Sequence, residues 1–459
     1  MADARDLSAA LAGLPPETDL GQSTLKKIAW RLLPLFALGY GVAIMDRTNI
    51  GLAALQMNRD LHFSASIYGF GAGLFSIGYA LCEIPSNLAL YRFGARRWIA
   101  RIMLTWGLLA MGMMLVKTPP QFYAMRFLLG VAEAGFFPGI MFYFLQWFPD
   151  NFRSRAISRF YAGAPLVGII NGLLAGPLMS LQGRLGLRGW QWLFLLEGLP
   201  AVLLSVVFLR QLSNTPEQAR WLSPSERAWL KARLAADIRT GTHLEDSWGS
   251  LRDLRIWLVG LLAFCALTCI FAYVFTAPTI LQAATRFSIG SIGVLMAINA
   301  LLGLFSMTIN ATRSDNAGER RWHIAIPLLI TAAAFLVSGS TKNSWCLVAA
   351  FAVAITGLYA TQGIIYAIPG SFLKGKSAAT GIAVVTSMGI LGGFAGPAWI
   401  GWMRDATGSF QIGLMSLAIP CVAGAAITVS LKNLTLAGSE RLGRQETSQT
   451  EAIVPILLE

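Results

Sequence analysis

The chain runs to 459 residues, 55% of them hydrophobic and only 13% charged, against about 25% charged in soluble domains. That composition excludes an ordinary soluble globular protein and points to an integral membrane protein. The formal net charge of +13 lies in short stretches between long apolar runs, which fits the Lys/Arg bias of cytoplasmic loops and argues against a nucleic-acid partner.

Residues 1–28 contain no apolar core of signal-peptide type and read as a cytosolic tail. A membrane-crossing helix needs about 20 mostly apolar residues. Six such runs fall within 29–211, near 30–52, 66–90, 98–116, 122–145, 157–180 and 191–210. Residues 212–254 form a polar linker, with a helix expected over Ser225 to Ile238 behind the start signal Ser223-Pro224-Ser225-Glu226. Six more runs fall within 255–431, near 256–282, 289–310, 322–340, 344–370, 378–402 and 410–431, and residues 432–459 read as a second cytosolic tail. Long continuous spans mean helices, because a barrel shows short alternating segments. The fold class is therefore all-α integral membrane, twelve transmembrane helices in two six-helix halves.

Loop charges set the expected orientation. Arg92, Arg96, Arg97 and Arg101, then Arg153, Arg155 and Arg159, then Arg313, Arg320 and Arg321 fall inside if the N-terminus is cytoplasmic. Arg59, Lys117 and Lys342 fall outside; Arg184 and Arg188 run against the bias. Both termini are then cytoplasmic. Cys82, Cys265, Cys269, Cys346 and Cys421 lie in or near apolar spans and read as free thiols. Cys265 and Cys269 share a helix face, but no histidine accompanies them, so no metal site is expected. There is an internal echo: Gly94–Ala100 reads GARRWIA and Gly318–Ala325 reads GERRWHIA, each just before the third span of its half. This points to a repeated half, an arrangement that places a binding site at the midplane between the halves.

Charges inside apolar spans cost roughly 2.5–3.5 kcal/mol each on insertion scales, so they face a wet cavity, pair, or do work. Asp46 and Arg47 sit in the first span, adjacent and so diverging by about 100°. Arg126 and Glu133 sit in the fourth, seven apart on one face and about 10 Å apart along the axis. One reading is a carboxylate clamp beside proton-exchanging acids, since arginine stays charged and presents a planar fork. The other is a pair of interhelical salt bridges, Asp46 with Arg126 and Glu133 with Arg47 or a backbone donor. Tyr79 in the second span, and Tyr359, Gln362 and Tyr366 on one face of the tenth, are further candidates for substrate contact. Thr276 and Gln282 are lesser options, and Asn171 reads equally as an interhelical contact. No catalytic residue is expected: there is no H-E-x-x-H, G-x-S-x-G or P-loop motif. Neither the linker nor the tail is long enough for a signalling domain, which argues against a membrane sensor.

Several stretches carry a family resemblance: MDRTNIGLAALQMNRDL, GYALCEIPSN, FGARRWIARIM, RFLLGVAEAGFFPGI, WQWLFLLEGLPAVLL, ERRWHIAIP and GGFAGPAWIGWMRDATGSF. Together, over about residues 25–430, the chain resembles the major facilitator superfamily, and within it the anion:cation symporter family of bacterial sugar-acid, tartrate and phthalate permeases. The resemblance implies that Arg47 contacts a substrate carboxylate, that Asp46 and Glu133 couple protons, and that Arg126 lies beside them. It also implies gating loops at Gly94, Arg96 and Arg97, and at Asp315, Gly318, Arg320 and Arg321, whose basic pairs bond neighbouring helix ends. The first copy departs from the loop signature at Asn87 and Tyr91, and the second at Ala311. Ile365-Tyr366 stands where relatives carry a Phe-Trp pair, and Thr386 and Ile390 replace two Asn that suit hydroxylated substrates; loss of those Asn favours a smaller or more apolar acid, aromatic ones included. The function implied is proton-coupled uptake of an organic carboxylate, by a monomer without cofactor in a bacterial-type inner membrane. An anion exchanger or exporter on the same fold is the alternative.

Overall fold

The computed structural model describes residues 19–161, 163–240, 252–369 and 375–431; the tail beyond 431 and most of the 1–28 tail lie outside them. Among the described residues the regular structure is helical throughout. The first half comprises α1 (Asp19–Asp60), α2 (Ala65–Phe93), α3 (Ala95–Gly112), α4 (Pro119–Glu133), α5 (Phe136–Trp147), α6 (Asp150–Tyr161), α7 (Gly163–Met179) and α8 (Gly189–Gln211). The linker helix is α9 (Pro224–Thr240). The second half comprises α10 (Leu254–Thr285), α11 (Ile289–Ala317), α12 (Arg321–Ser340), α13 (Ser344–Ala367), α14 (Gly375–Thr407), α15 (Gln411–Ser416) and α16 (Ala418–Ser430).

Eleven of the described helical segments are long and apolar enough to cross a membrane, and the fifth expected span is represented by the shorter Val167–Met179. The first described helix runs from Asp19, so residues 19–28 of the expected N-terminal tail are helical. Polar side chains start the spans where backbone N–H groups lack partners. Ser64 accepts from the Ile67 N–H at 3.2 Å, Ser288 from Ser291 at 3.1 Å, and Asn343 from Trp345 at 2.9 Å. The linker helix is tied to α1 by Lys27 Nζ and Glu226 Oε2, 2.9 Å apart.

The halves meet through α2 and α14, α7 and α11, and α1 and α10. Lipid is as apolar as leucine, so such contacts rely on close van der Waals approach of small residues. Gly172 and Gly176 of α7 face Gly293 and Gly290 of α11 so closely that a Cβ would meet the opposing backbone. On α2, Gly69, Gly73 and Ser76 pack against Pro397, Phe394 and Gly393 of α14. Tyr68 donates to the Phe275 carbonyl at 2.8 Å, and Asp405 of α14 accepts from the Ser66 N–H at 2.9 Å. These approaches lie toward the end that carries Ser64 and Ser288. Farther along the same face of α2, Ile84 and Tyr91 are 70% and 77% exposed. The interface is thus closed at one end and parted toward the Gly94 end.

Candidate functional site

The fourth span is not the continuous helix expected over 122–145. Helix α4 ends at Glu133, Ala134 follows at φ −55°, ψ 135°, and Gly135 at φ 84°, ψ −4°. Those angles are a type II turn, whose third position needs glycine. Gly135 also rests on Ser86 of α2, where a side chain would collide. Helix α5 then restarts at Phe136, so a helix end and a helix start both lie beside Glu133 in mid-span.

Glu133 and Arg47 form one of the two ion pairs weighed as the alternative to a free clamp. Arg47 Nε and Nη2 reach Glu133 Oε1 at 2.7 and 2.6 Å. Glu133 is fully buried and its Oε2 has no hydrogen-bond partner. The Arg47 guanidinium also stands over Tyr79, 4.9 Å from the ring centroid, and over Phe75 at 5.5 Å. Tyr79, a candidate from the sequence, therefore belongs to this cluster. Arg126 packs on Phe75 from 5.2 Å and on Phe275 of the second half from 5.9 Å. Its Nη2 donates to the Ala72 carbonyl at 3.0 Å, while its Nε has no partner. Two guanidinium groups, one aromatic wall and one unsatisfied carboxylate oxygen are thus gathered where the halves touch. Arginine forks of this kind bind carboxylates bidentately.

The second ion pair weighed for this site, Asp46 with Arg126, is not formed. Adjacent residues on a helix diverge by about 100°, so Arg47 faces α4 while Asp46 turns toward α3. There Asp46 Oδ2 accepts from Trp106 Nε1 at 2.5 Å, and Oδ1 has no partner. Asn171 donates to Thr48 at 2.8 Å, the interhelical contact considered for it. Thr276 donates to its own helix at Ala272 instead. Tyr359, Gln362 and Tyr366 are half-buried on α13; the Tyr359 ring packs on Gly303 of α11, and the Tyr366 hydroxyl lies near Gly389 of α14. Tyr359 also packs at the edge of the closed-end cluster that holds Tyr68 and Phe275, and neither Tyr359 nor Tyr366 is among the rings beneath Arg47 and Arg126.

The basic turns bond helix ends within their own halves. Gly94 takes φ 83° and Gly318 φ 61°, both left-handed. Arg96 Nε donates to the Leu209 carbonyl at 2.6 Å in the last turn of α8, and Arg320 Nη1 to Ala367 at 3.0 Å, the last residue of α13. Cations there complement the negative ends of those helices. Arg97 and Asp315 are exposed, and Arg321 lies 4.0 Å from Glu319. The sequence reading missed Phe75, Trp106 and Glu197. A buried glutamate in the apolar run LFLLEGLP was the one signal available for Glu197.

A model of the Major Facilitator Superfamily matches residues 36–397. The chain is 42% identical over 418 residues to a putative tartrate transporter of Agrobacterium vitis, covering 90% of this chain and 96% of that one. It is 42% identical over 405 residues to the putative metabolite transport protein NicT of Pseudomonas putida, covering 87% and 92%. Its fold is similar to the crystal structure of a bacterial homologue of the human lysosomal transporter Spinster, in an inward-facing and unoccupied conformation. The TM-score is 0.75 at 17% identity, over 90% of this chain and 98% of that one.

Proposed function

The chain belongs to the major facilitator superfamily, and from that premise we propose that it moves a small organic carboxylate across the membrane together with protons. It is a multi-pass membrane transporter and not an enzyme. The observation that carries the carboxylate and proton reading is the buried Arg47–Glu133 pair beside a broken span. A carboxylate of the protein occupies the fork that a substrate carboxylate would take. Protonation of Glu133 removes its charge and frees Arg47 for the substrate; loss of the proton restores the pair and expels the substrate. Arg126 and Tyr79 complete the pocket on the first half, and Tyr359, Gln362 and Tyr366 approach it when the parted end closes. Asp46 holds a proton on the other side of α1.

The tartrate relative supports a carboxylate, and the replacements at Thr386 and Ile390 favour a smaller or more apolar acid. Moving one charge against the membrane potential costs about 2.3 kcal/mol per 100 mV, so an anion entering a negative-inside cell needs accompanying protons. With the parted end cytoplasmic, both termini lie in the cytoplasm of a bacterial-type inner membrane. The two bundles, 29–211 and 255–431, rock about the site on the 212–254 linker, and one chain suffices.

The test uses proteoliposomes with a trapped pH dye and added tartrate, a sugar acid or an aromatic acid. The expected result is internal acidification with one of them that is absent in empty vesicles. Glu133→Gln abolishes accumulation driven by a pH gradient while counterflow exchange of the same acid persists. Unchanged gradient-driven accumulation in that variant refutes the assignment, and counterflow without acidification in the wild type replaces symport with anion exchange.

A further inference from the structure

Glu197 takes no part in the Arg47–Glu133 pair. It is 1% exposed, and its carboxylate faces the Asn49 amide and, through space, the Asp46 carboxylate. The antiparallel register of α8 on α1 fixes what it faces. Trp190 Nε1 donates to Asp60 Oδ2 at 3.1 Å, and Gly189 lies against the Gln56 side chain. Two turns onward along α8 is Glu197, and two turns back along α1 from Gln56 is buried Asn49. Asp46, three residues before Asn49, lies on the same face. Helix α3 closes this space, with Gly107 and Met111 packed on Gly198 and Trp106 bonded to Asp46.

The pocket between α1, α3 and α8 therefore holds two buried carboxylates, and Asp46 Oδ1 has no hydrogen-bond partner. Its other polar groups are neutral: the Asn49 amide and the Trp106 indole. Arg47 is engaged on Glu133, while Arg126, bonded to the Ala72 carbonyl, and Glu133 both act on Asp46 through space from the α4 side. The charges of α3 itself, Arg96, Arg97 and Arg101, lie at its start, and those of α8 and its flank, Arg188 and Arg210, at its two ends. Two unpaired negative charges are not stable together in a dry pocket; carboxylates so placed share a proton.

We propose that Asp46 and Glu197 form a second proton-binding site, behind α1 and away from the substrate fork, in which one proton is shared between the two carboxylates. Its part in transport rests on the proton-coupled reading above, but proton binding is measurable without transport. Asp46 adjoins Arg47 in the chain, so gain or loss of charge at this site acts on the helix that presents the fork, without the substrate reaching it.

The experiment is difference infrared spectroscopy of the full-length protein in lipid, following protonated carboxylic-acid carbonyl bands from about pH 5 to about pH 9, without substrate. Glu197→Gln is expected to remove one titrating component and to move the midpoint of the Asp46 component down by about one pH unit or more, as for coupled acids. Asp46→Asn is expected to act reciprocally on Glu197. Bands and midpoints unchanged by Glu197→Gln overturn the proposal. Should the glutamine variant fail to elute as a folded monodisperse species, Glu197→Asp is read instead. A titrating band at shifted frequency supports the site, and an unmoved band overturns it. The trapped-dye assay is run on the same samples. Absence of acidification in the wild type with coupled bands intact counts against symport and leaves the site standing; acidification with uncoupled bands does the reverse.

Discussion

Asp405 holds the two halves together at the closed end, and its neutralisation is expected to loosen that end. Its Oδ2 accepts the Ser66 N–H at 2.9 Å and its Oδ1 the Ala65 N–H at 3.3 Å. Both donors lie in the first turn of α2, where unpaired N–H groups and the helix dipole favour a negative charge. Hydrogen bonds to charged groups are worth about 1.5–3 kcal/mol each when sheltered. Asp405 is exposed and one of its bonds is long, so solvent screening reduces the pair to about 1 kcal/mol in total. A shift of that size changes the ratio of closed to open forms about five-fold. Asp405→Asn keeps the shape and removes the charge. Spin labels at Lys117 and Lys342, one exposed position in each half, report the separation of that end by pulsed electron resonance in a Cys346→Ser background. The expected outcome is a several-fold gain in the longer-distance population relative to Asp405. An unchanged distribution, or a shift toward shorter distances, refutes the idea that this carboxylate latches the halves.

Two further outcomes follow from the geometry. Gly135→Ala places a side chain at φ 84° against Ser86, so a loss of about 1–3 kcal/mol is expected as a lowered midpoint in thermal unfolding; Gly135→Ala with Ser86→Gly recovers only the steric part, since the left-handed backbone remains. Burial acts to raise the Glu226 carboxyl, but the Ser223 backbone N–H and then Lys27 outweigh it and hold it below the usual glutamate range. A depressed folded value means the clasp between α9 and α1 is fully stabilising above about pH 4.3 and is lost as pH falls through the folded value. Amide exchange in α9, corrected for intrinsic rate, should therefore rise on acidification in the wild type and show no such step in Glu226→Gln.

Much of this protein is written in its sequence. Apolar run length fixes membrane helices, because an unpaired backbone group in lipid is too costly for any other spanning form. The spacing of the arginine turns marks the two halves, and the left-handed Gly94 and Gly318 stand where those turns need them. Asp46, Arg47, Arg126 and Glu133 announce themselves within the spans, since each is expensive to bury. The partners of those charges are a different matter. Periodicity gives the face and depth of a residue on its own helix, but not which neighbour stands opposite. Only the packing of α3 and α4 on α1 decided that Arg47 meets Glu133 while Asp46 meets Trp106. The break after Glu133 was hidden because Gly135 lies in a run where glycine also serves close helix contact. Glu197 is equally costly to bury and equally visible as an acid in an apolar run, but only the register of α8 on α1 sets it beside Asp46.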